Sequence, residues 1–215
     1  MQLYTFFNSS TSYRVRIALA LKGLCYQHHG VNIRVGEQDE QSYLVLNPSA
    51  SVPLLIDDDG TRVSQSLAII DYLEHAYPDS PRLLPEVLAQ RSWVLQVANL
   101  VACDIHPLNN LRVLNYLAQH LNLDAQQRSV WYRHWIDQGM QALEAMLQGA
   151  PEHGPYCLGQ VATLADCCLV PQVANALRMG CDLSAYPRTL AVYEHCQRQP
   201  DFQKAAPERQ LDFTV

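Results

Sequence analysis

Over the first third of the chain, short apolar runs alternate with polar, turn-rich ones. Gln2 to Phe6 has the spacing of a strand, and from Tyr13 to Lys22 the positions Val15, Ala18, Leu19 and Leu21 recur on one side of a helix that Gly23 ends. Tyr26 to Ile33 reads as a second strand. Leu54 to Ile56 and Thr61 to Ser64 flank Asp57-Asp58-Asp59-Gly60, whose turn residues predict a hairpin. A further helix follows from Ser66 to about Ala76. Then Tyr77-Pro78-Asp79-Ser80-Pro81-Arg82-Leu83-Leu84-Pro85 is dense in proline and without period, the mark of a linker. From Leu88 onward the period is helical almost throughout: Val94, Val97, Ala98 and Val101, then Trp131, Trp135, Met140, Leu143, Met146 and Leu147, then Leu164 to Leu177. The pattern predicts an α+β arrangement, with an N-terminal domain over 1–78, a linker over 79–87 and an all-α domain over 88–215.

Polar residues concentrate at the helix starts. Ser9, Ser10, Thr11 and Ser12, with Arg14, stand at the mouth of the first helix, where unpartnered N–H groups and the positive end of the helix dipole favour an anion. Ser and Thr also gather at such places simply as caps. Val52-Pro53 opens the strand that begins at Leu54; the bond is either cis, with the Val52 N–H and C=O turned outward toward an extended ligand, or that of an ordinary trans proline on an edge strand. Gln65-Ser66 precedes the next apolar run, with Ser66 as the expected cap and a carboxylate site as the alternative use of that helix end. Thr163 and Asp166 form a capping box, and Pro107 interrupts a helical stretch, so that His106, Asn109, Asn110 and Arg112 take a new direction.

Composition narrows the classes. With 15 basic and 21 acidic residues the net charge is −6, which argues against a nucleic-acid or membrane-surface partner. No apolar run nears the roughly 18 residues of a membrane helix, and the N-terminus lacks an export pattern. Seven cysteines, an odd number without C-x-x-C pairs, predict reduced thiols and a cytoplasmic setting, with Cys167 and Cys168 buried in a helix. His28 and His29, adjacent in a strand, point to opposite faces and make no metal site.

The ordered set Ser9-Ser10-Thr11-Ser12-Tyr13-Arg14-Val15-Arg16-Ile17-Ala18-Leu19, Val52-Pro53, Leu67 to Leu73, Arg82 to Pro85, Ile105 to Asn110, Thr163 to Asp166 and Leu169 to Ala176 resembles the zeta-class glutathione transferases, the maleylacetoacetate and maleylpyruvate isomerases. The resemblance implies a thioredoxin-like domain followed by a helical one, a homodimer, and glutathione as cofactor. It implies thiolate addition to a maleyl double bond, rotation, and elimination to the fumaryl isomer; covalent catalysis of this kind splits one hard step into easier ones. Ser9, Ser10 and Thr11 are then the catalytic donors that hold the thiol ionised against its ordinary pKa of about 8.5. Further glutathione contacts implied are Ser12, Arg14, Gln38 at the glycine end, the Val52 backbone with Pro53, Gln65 and Ser66 at the γ-glutamyl carboxylate, and His106, Asn110, Leu111 and Arg112. A substrate carrying a carboxylate needs fixed cations or donors, for which Arg112, Arg178 and His106 are the candidates. Of Arg14 and Arg16, one is expected near the site and one in a structural role.

Three positions depart from the family. Thr11 stands where the signature has Cys, so catalysis relies on glutathione alone. Asn8 stands where relatives carry Arg, and His106 where several carry Gln. Asn8 keeps open a transferase or dehalogenase acting on small α-halo acids; the third reading is a catalytically silent scaffold, against which the hydroxyl-rich helix start argues.

Overall fold

The structure, a computed structural model, describes residues 1–214. In chain order the elements are β1 (Gln2–Thr5), α1 (Ser10–Leu21), β2 (Gln27–Gly30), α2 (Gln41–Leu44), β3 (Leu54–Ile56), β4 (Arg62–Ser64), α3 (Ser66–Ala76), α4 (Leu88–Asn99), α5 (Leu111–Gln119), α6 (Ala125–Gln148), α7 (Leu164–Arg178), α8 (Pro187–Gln197) and α9 (Pro200–Ala205). They form two compact units, one of Met1–Leu84 together with the residues from Gln197 on, the other Pro85–Cys196.

The first unit is built on a four-stranded sheet in the order β2-β1-β3-β4, with β1 and β2 parallel and the other pairs antiparallel. The pleat sends alternate side chains to opposite faces. Leu3 and its partner Leu55 are wholly buried, as are Val15, Ile17, Ala18 and Leu19 of α1 and Ile69, Ile70 and Leu73 of α3. Leu54 instead joins a second cluster with Phe6, Phe7, Val31, Tyr43 and Val52. The second strand is only Gln27–Gly30, shorter than the expected Tyr26 to Ile33, because this polar edge strand pairs with β1 alone. His29 stacks on Tyr4 at 4.7 Å, and His28 Nε2 lies 3.1 Å from Asp212 Oδ1.

The chain's end does not follow the expected helical span of 88–215. α9 packs on α1, Asp212 accepts from the Phe7 N–H at 2.8 Å, and Phe213 meets the Phe7 ring edge-on at 5.3 Å. The proline-rich stretch is also fastened. Lys22 and Glu74 form a buried ion pair at 2.7 Å; Lys22 Nζ donates to Ser80 Oγ and Pro81 O, while Glu74 accepts from the Leu83 and Leu84 N–H groups.

The second unit is helical. In α6 the wholly or nearly buried positions are Tyr132, Ile136, Met140, Leu143 and Leu147, so the stripe passes through Tyr132 and Ile136, with Trp131 and Trp135 half-buried beside it. α4 packs against α7 and runs on as a π-helical turn, Leu100–Ile105, then a 3-10 turn, His106–Asn109, which carries the change of direction expected at Pro107. Gly139 of α6 permits this: a Cβ there would lie 2.4 Å from Ile105 Cγ1. At the start of α7, Asp166 accepts from the Thr163 N–H and hydroxyl and from the Cys157 N–H, all at 2.8–2.9 Å.

Glu144 of α6 serves as the cap of α8, accepting from Arg188 N, Thr189 N and Thr189 Oγ1 at 2.8–2.9 Å. Burial alone would raise its pKa, but these donors outweigh it and hold the carboxyl below its ordinary 4.5. A carboxylate whose pKa is depressed by folding stabilises above its unfolded pKa and loses that contribution as pH falls through the folded value. The thermal midpoint is therefore expected to decline below about pH 4.5, and Glu144→Gln to flatten that decline. Parallel melts at pH 7 and pH 4 check this; identical slopes in the two proteins would refute it.

Candidate active site

In the first unit, α1 begins at Ser10 rather than Tyr13, because Ser9 caps it: its backbone is extended (φ −82°, ψ 121°) and its Oγ accepts from the Ser12 N–H at 3.2 Å. Three of the four hydroxyls are committed inside the protein. Ser12 is wholly buried and its Oγ accepts from Phe6 N at 3.4 Å, so it is not at the mouth as expected. Thr11 Oγ1 donates to the Val52 carbonyl at 2.9 Å, so that carbonyl, expected to face outward, already has a partner; the Val52–Pro53 bond is cis. Ser9 Oγ lies 2.9 Å from Thr11 Oγ1, and since the Thr11 proton goes to a carbonyl, Ser9 is the donor of this pair. Ser10, half-buried in the first turn, has no hydrogen bond to its hydroxyl among the described residues.

Arg14 and Arg16 make different contacts. Both are 1 % exposed. Arg14 Nη1 donates to Ser66 Oγ at 3.3 Å and so joins the starts of α1 and α3. Arg16 donates to Thr5 Oγ1, Phe6 O, Phe7 O and Ala205 O at 2.9–3.1 Å, and burial lowers its pKa to about 10. Its role is structural: it ties the end of β1 and the approach to Ser9 onto α9.

At α3 the cap is Gln65, not Ser66. Gln65 takes φ 71° and ψ 119°, a left-handed backbone that costs a non-glycine residue on the order of 1–3 kcal/mol, and makes no side-chain cap bond. Its side chain is exposed, while Ser66, the first helical residue, is buried on Arg14. Gln38 lies in a 3-10 turn, Glu37–Asp39, with Nε2 donating to Asp39 Oδ2 at 2.7 Å; no hydrogen bond among the described residues joins it to the α1 mouth.

In the second unit, His106 opens the 3-10 turn and Asn110 caps α5, its Oδ1 accepting from Val113 N at 3.0 Å. Leu111 and Arg112 follow, exposed in the first turn of α5. The turn is held to α6 by Trp131 Nε1 donating to Leu108 O at 2.9 Å and Asn109 Nδ2 donating to Tyr132 O at 3.1 Å. Arg178, exposed at the end of α7, donates through Nη2 to Asn175 Oδ1, and Asn175 Nδ2 donates to Tyr132 Oη at 2.7 Å. Burial raises the Tyr132 pKa, so it stays a phenol. Sequence reasoning singled out neither Tyr132 nor Asn175, whereas Asn109 was already marked by the Pro107 interruption. The i, i+3 spacing of Asn175 and Arg178 was the one available signal.

A family profile described as the glutathione S-transferase N-terminal domain matches residues 8–76. Maleylacetoacetate isomerase of Pseudomonas aeruginosa PAO1 is 45% identical, the match covering 99% of this chain and 98% of that protein. The chain belongs to the zeta-class glutathione transferases. A solved holo structure of maleylpyruvate isomerase, described as a bacterial glutathione S-transferase of the zeta class, superposes on this zeta-class chain with a TM-score of 0.96 at 42% identity and full coverage of both. Maleylacetoacetate isomerase of Methylobacterium extorquens AM1, solved with malonate and GSH bound, gives a TM-score of 0.96 at 33% identity, again covering both chains fully. In this zeta-class transferase the four-stranded sheet with its helices, followed by the helical unit, is the glutathione transferase fold, thioredoxin-like in its N-terminal part. No helix among the described residues is long and apolar enough to cross a membrane.

Proposed function

We propose that this zeta-class transferase is a glutathione-dependent cis–trans isomerase of maleylacetoacetate or maleylpyruvate, a homodimer of the cytoplasm. The observation that carries the reading is the start of α1: Ser9 and Thr11 lock the first turn against Val52, and Ser10 is left to present its hydroxyl and the adjacent N–H groups. The residues fit glutathione chemically. The α1 start suits a thiolate, and the α3 start, with Ser66 set by Arg14 and Gln65 by its unusual backbone, suits the γ-glutamyl carboxylate.

Glutathione, when bound, supplies the thiolate that adds to the maleyl double bond and departs after rotation. The protein's own work is electrostatic. Ser10 and the α1 N–H groups hold the sulfur ionised, and Arg112, Arg178 and His106 receive the carboxylate and the negative charge that develops on the substrate. The reduced-thiol reading supports the cytoplasm, and the family resemblance supports the dimer.

Following the ultraviolet absorbance of maleylpyruvate is expected to show conversion to the fumaryl isomer only when glutathione is present, with no net glutathione consumed. Asn8 is the observation favouring the second reading, glutathione transfer to α-halo acids. Turnover of chloroacetate-type acids with no turnover of either maleyl substrate would replace the isomerase reading with that one.

A further inference from the structure

We infer that Asn175 is a positioning residue for Arg178: its carboxamide, oriented by the Tyr132 phenol, holds the guanidinium ready for a substrate carboxylate. The inference rests on the reading of Arg178 as a carboxylate-binding residue.

Arg178 is exposed on the last turn of α7, where a long side chain has many rotamers and loses them on binding. A fixed acceptor removes part of that loss in advance. The Asn175 carboxamide is such an acceptor, since Arg178 Nη2 donates to its Oδ1. The amide's direction is itself determined. A guanidinium only donates, so the oxygen must face Arg178; the NH2 group must then find an acceptor on the other side, and Tyr132 Oη stands there at 2.7 Å. Tyr132 is 2 % exposed, so this acceptor is held by the packing of α6 rather than by solvent.

The same residue reaches the other candidate substrate contacts. Its carbonyl accepts from Asn109 Nδ2, and its neighbour Trp131 donates to Leu108 O, so the turn that begins at His106 is seated on the same stretch of α6. One buried tyrosine therefore sets the register of both the His106 turn and, through Asn175, the Arg178 guanidinium. Sequence alone does not show this, because Tyr132 and Asn175 are 43 residues apart.

The test uses the glutathione-saturated full chain and two readouts, malonate binding by calorimetry and maleylpyruvate kinetics. Asn175→Ala is expected to weaken malonate and raise the maleylpyruvate KM on the order of tenfold, with kcat and the glutathione KM changed less than about twofold. Tyr132→Phe should act in the same direction by about threefold, and it supplies the test if Asn175→Ala fails to fold. Arg178→Met should cost more than either, and adding Asn175→Ala to it should cost nothing further, since Asn175 acts only through the arginine. Equal cost of Asn175→Ala with and without Arg178 overturns the inference. So does normal malonate binding in Asn175→Ala and Tyr132→Phe when Arg178→Met binds weakly, and in that case the carboxylate reading of Arg178 survives. Unchanged malonate binding in Arg178→Met overturns both. Absence of maleyl turnover beside intact malonate coupling overturns the isomerase reading and leaves the positioning role standing.

Discussion

Replacing Arg16 with methionine is expected to lower the thermal midpoint by about 8–16 °C, from a loss on the order of 4 kcal/mol. Methionine keeps most of the apolar stem, so little volume is lost. What disappears is a set of donors to Thr5 Oγ1, Phe6 O, Phe7 O and Ala205 O. Phe6 O keeps the Ser9 N–H at 3.0 Å, whereas Phe7 O and Ala205 O lose the donor that Arg16 supplied. Each buried carbonyl left without a partner costs roughly 1–3 kcal/mol. Opposing this, the variant no longer has to bury a charge, a cost visible in the guanidinium's pKa of about 10, which keeps the net loss below the sum of the individual bonds. Arg16→Lys should fall between, because an ammonium lacks the planar fork that spans β1 and α9. Circular-dichroism melts decide it, and a drop of under about 2 °C for the methionine variant would show that the carbonyls find other partners.

Ser10→Ala is expected to be the most damaging single change at the α1 mouth, lowering kcat/KM by about 10²–10³ and raising the bound thiol's pKa by roughly one unit, or ~1.4 kcal/mol. The reason is geometric. The Thr11 proton is committed to Val52 O, the Ser9 proton to Thr11, and Ser12 is buried, so Ser10 is the hydroxyl left to donate to a sulfur. Ser9→Ala removes the cap of α1 and should cost about 1 kcal/mol of stability with a smaller effect on the thiol. Titrating the thiolate absorbance of glutathione bound to each variant separates the two. A normal thiol pKa in Ser10→Ala together with a raised one in Ser9→Ala would mean that the cap hydroxyl turns outward when the ligand arrives.

Both predictions concern a segment whose importance is plain in the sequence and whose division of labour is not. Four serine and threonine hydroxyls and two arginines within Ser9 to Arg16 mark the helix start. Nothing local distinguishes Ser10 from Ser12, or Arg14 from Arg16, because all sit within two turns of one helix and differ in what the rest of the chain brings to them. Arg14 meets Ser66 across 52 residues and Arg16 meets Ala205 across 189. The same distance effect hid the Tyr132–Asn175 pair, 43 residues apart.

By itself the sequence determined the order of the four strands with the helices α1 and α3, an α+β part followed by a mainly helical one, the capping box at Thr163 and Asp166, and the crowding of hydroxyls at the α1 start. These depend on periods of two and 3.6 residues and on contacts within about four residues, which a linear pattern encodes directly. Only the tertiary structure decided that the chain's end returns to pack on α1, that Lys22 and Glu74 pin the proline-rich stretch, that Glu144 caps α8, and which of the α1-start hydroxyls are taken up by hydrogen bonds inside the protein. A side chain's type states what it can bond to; its partner is settled only when distant segments arrive beside it.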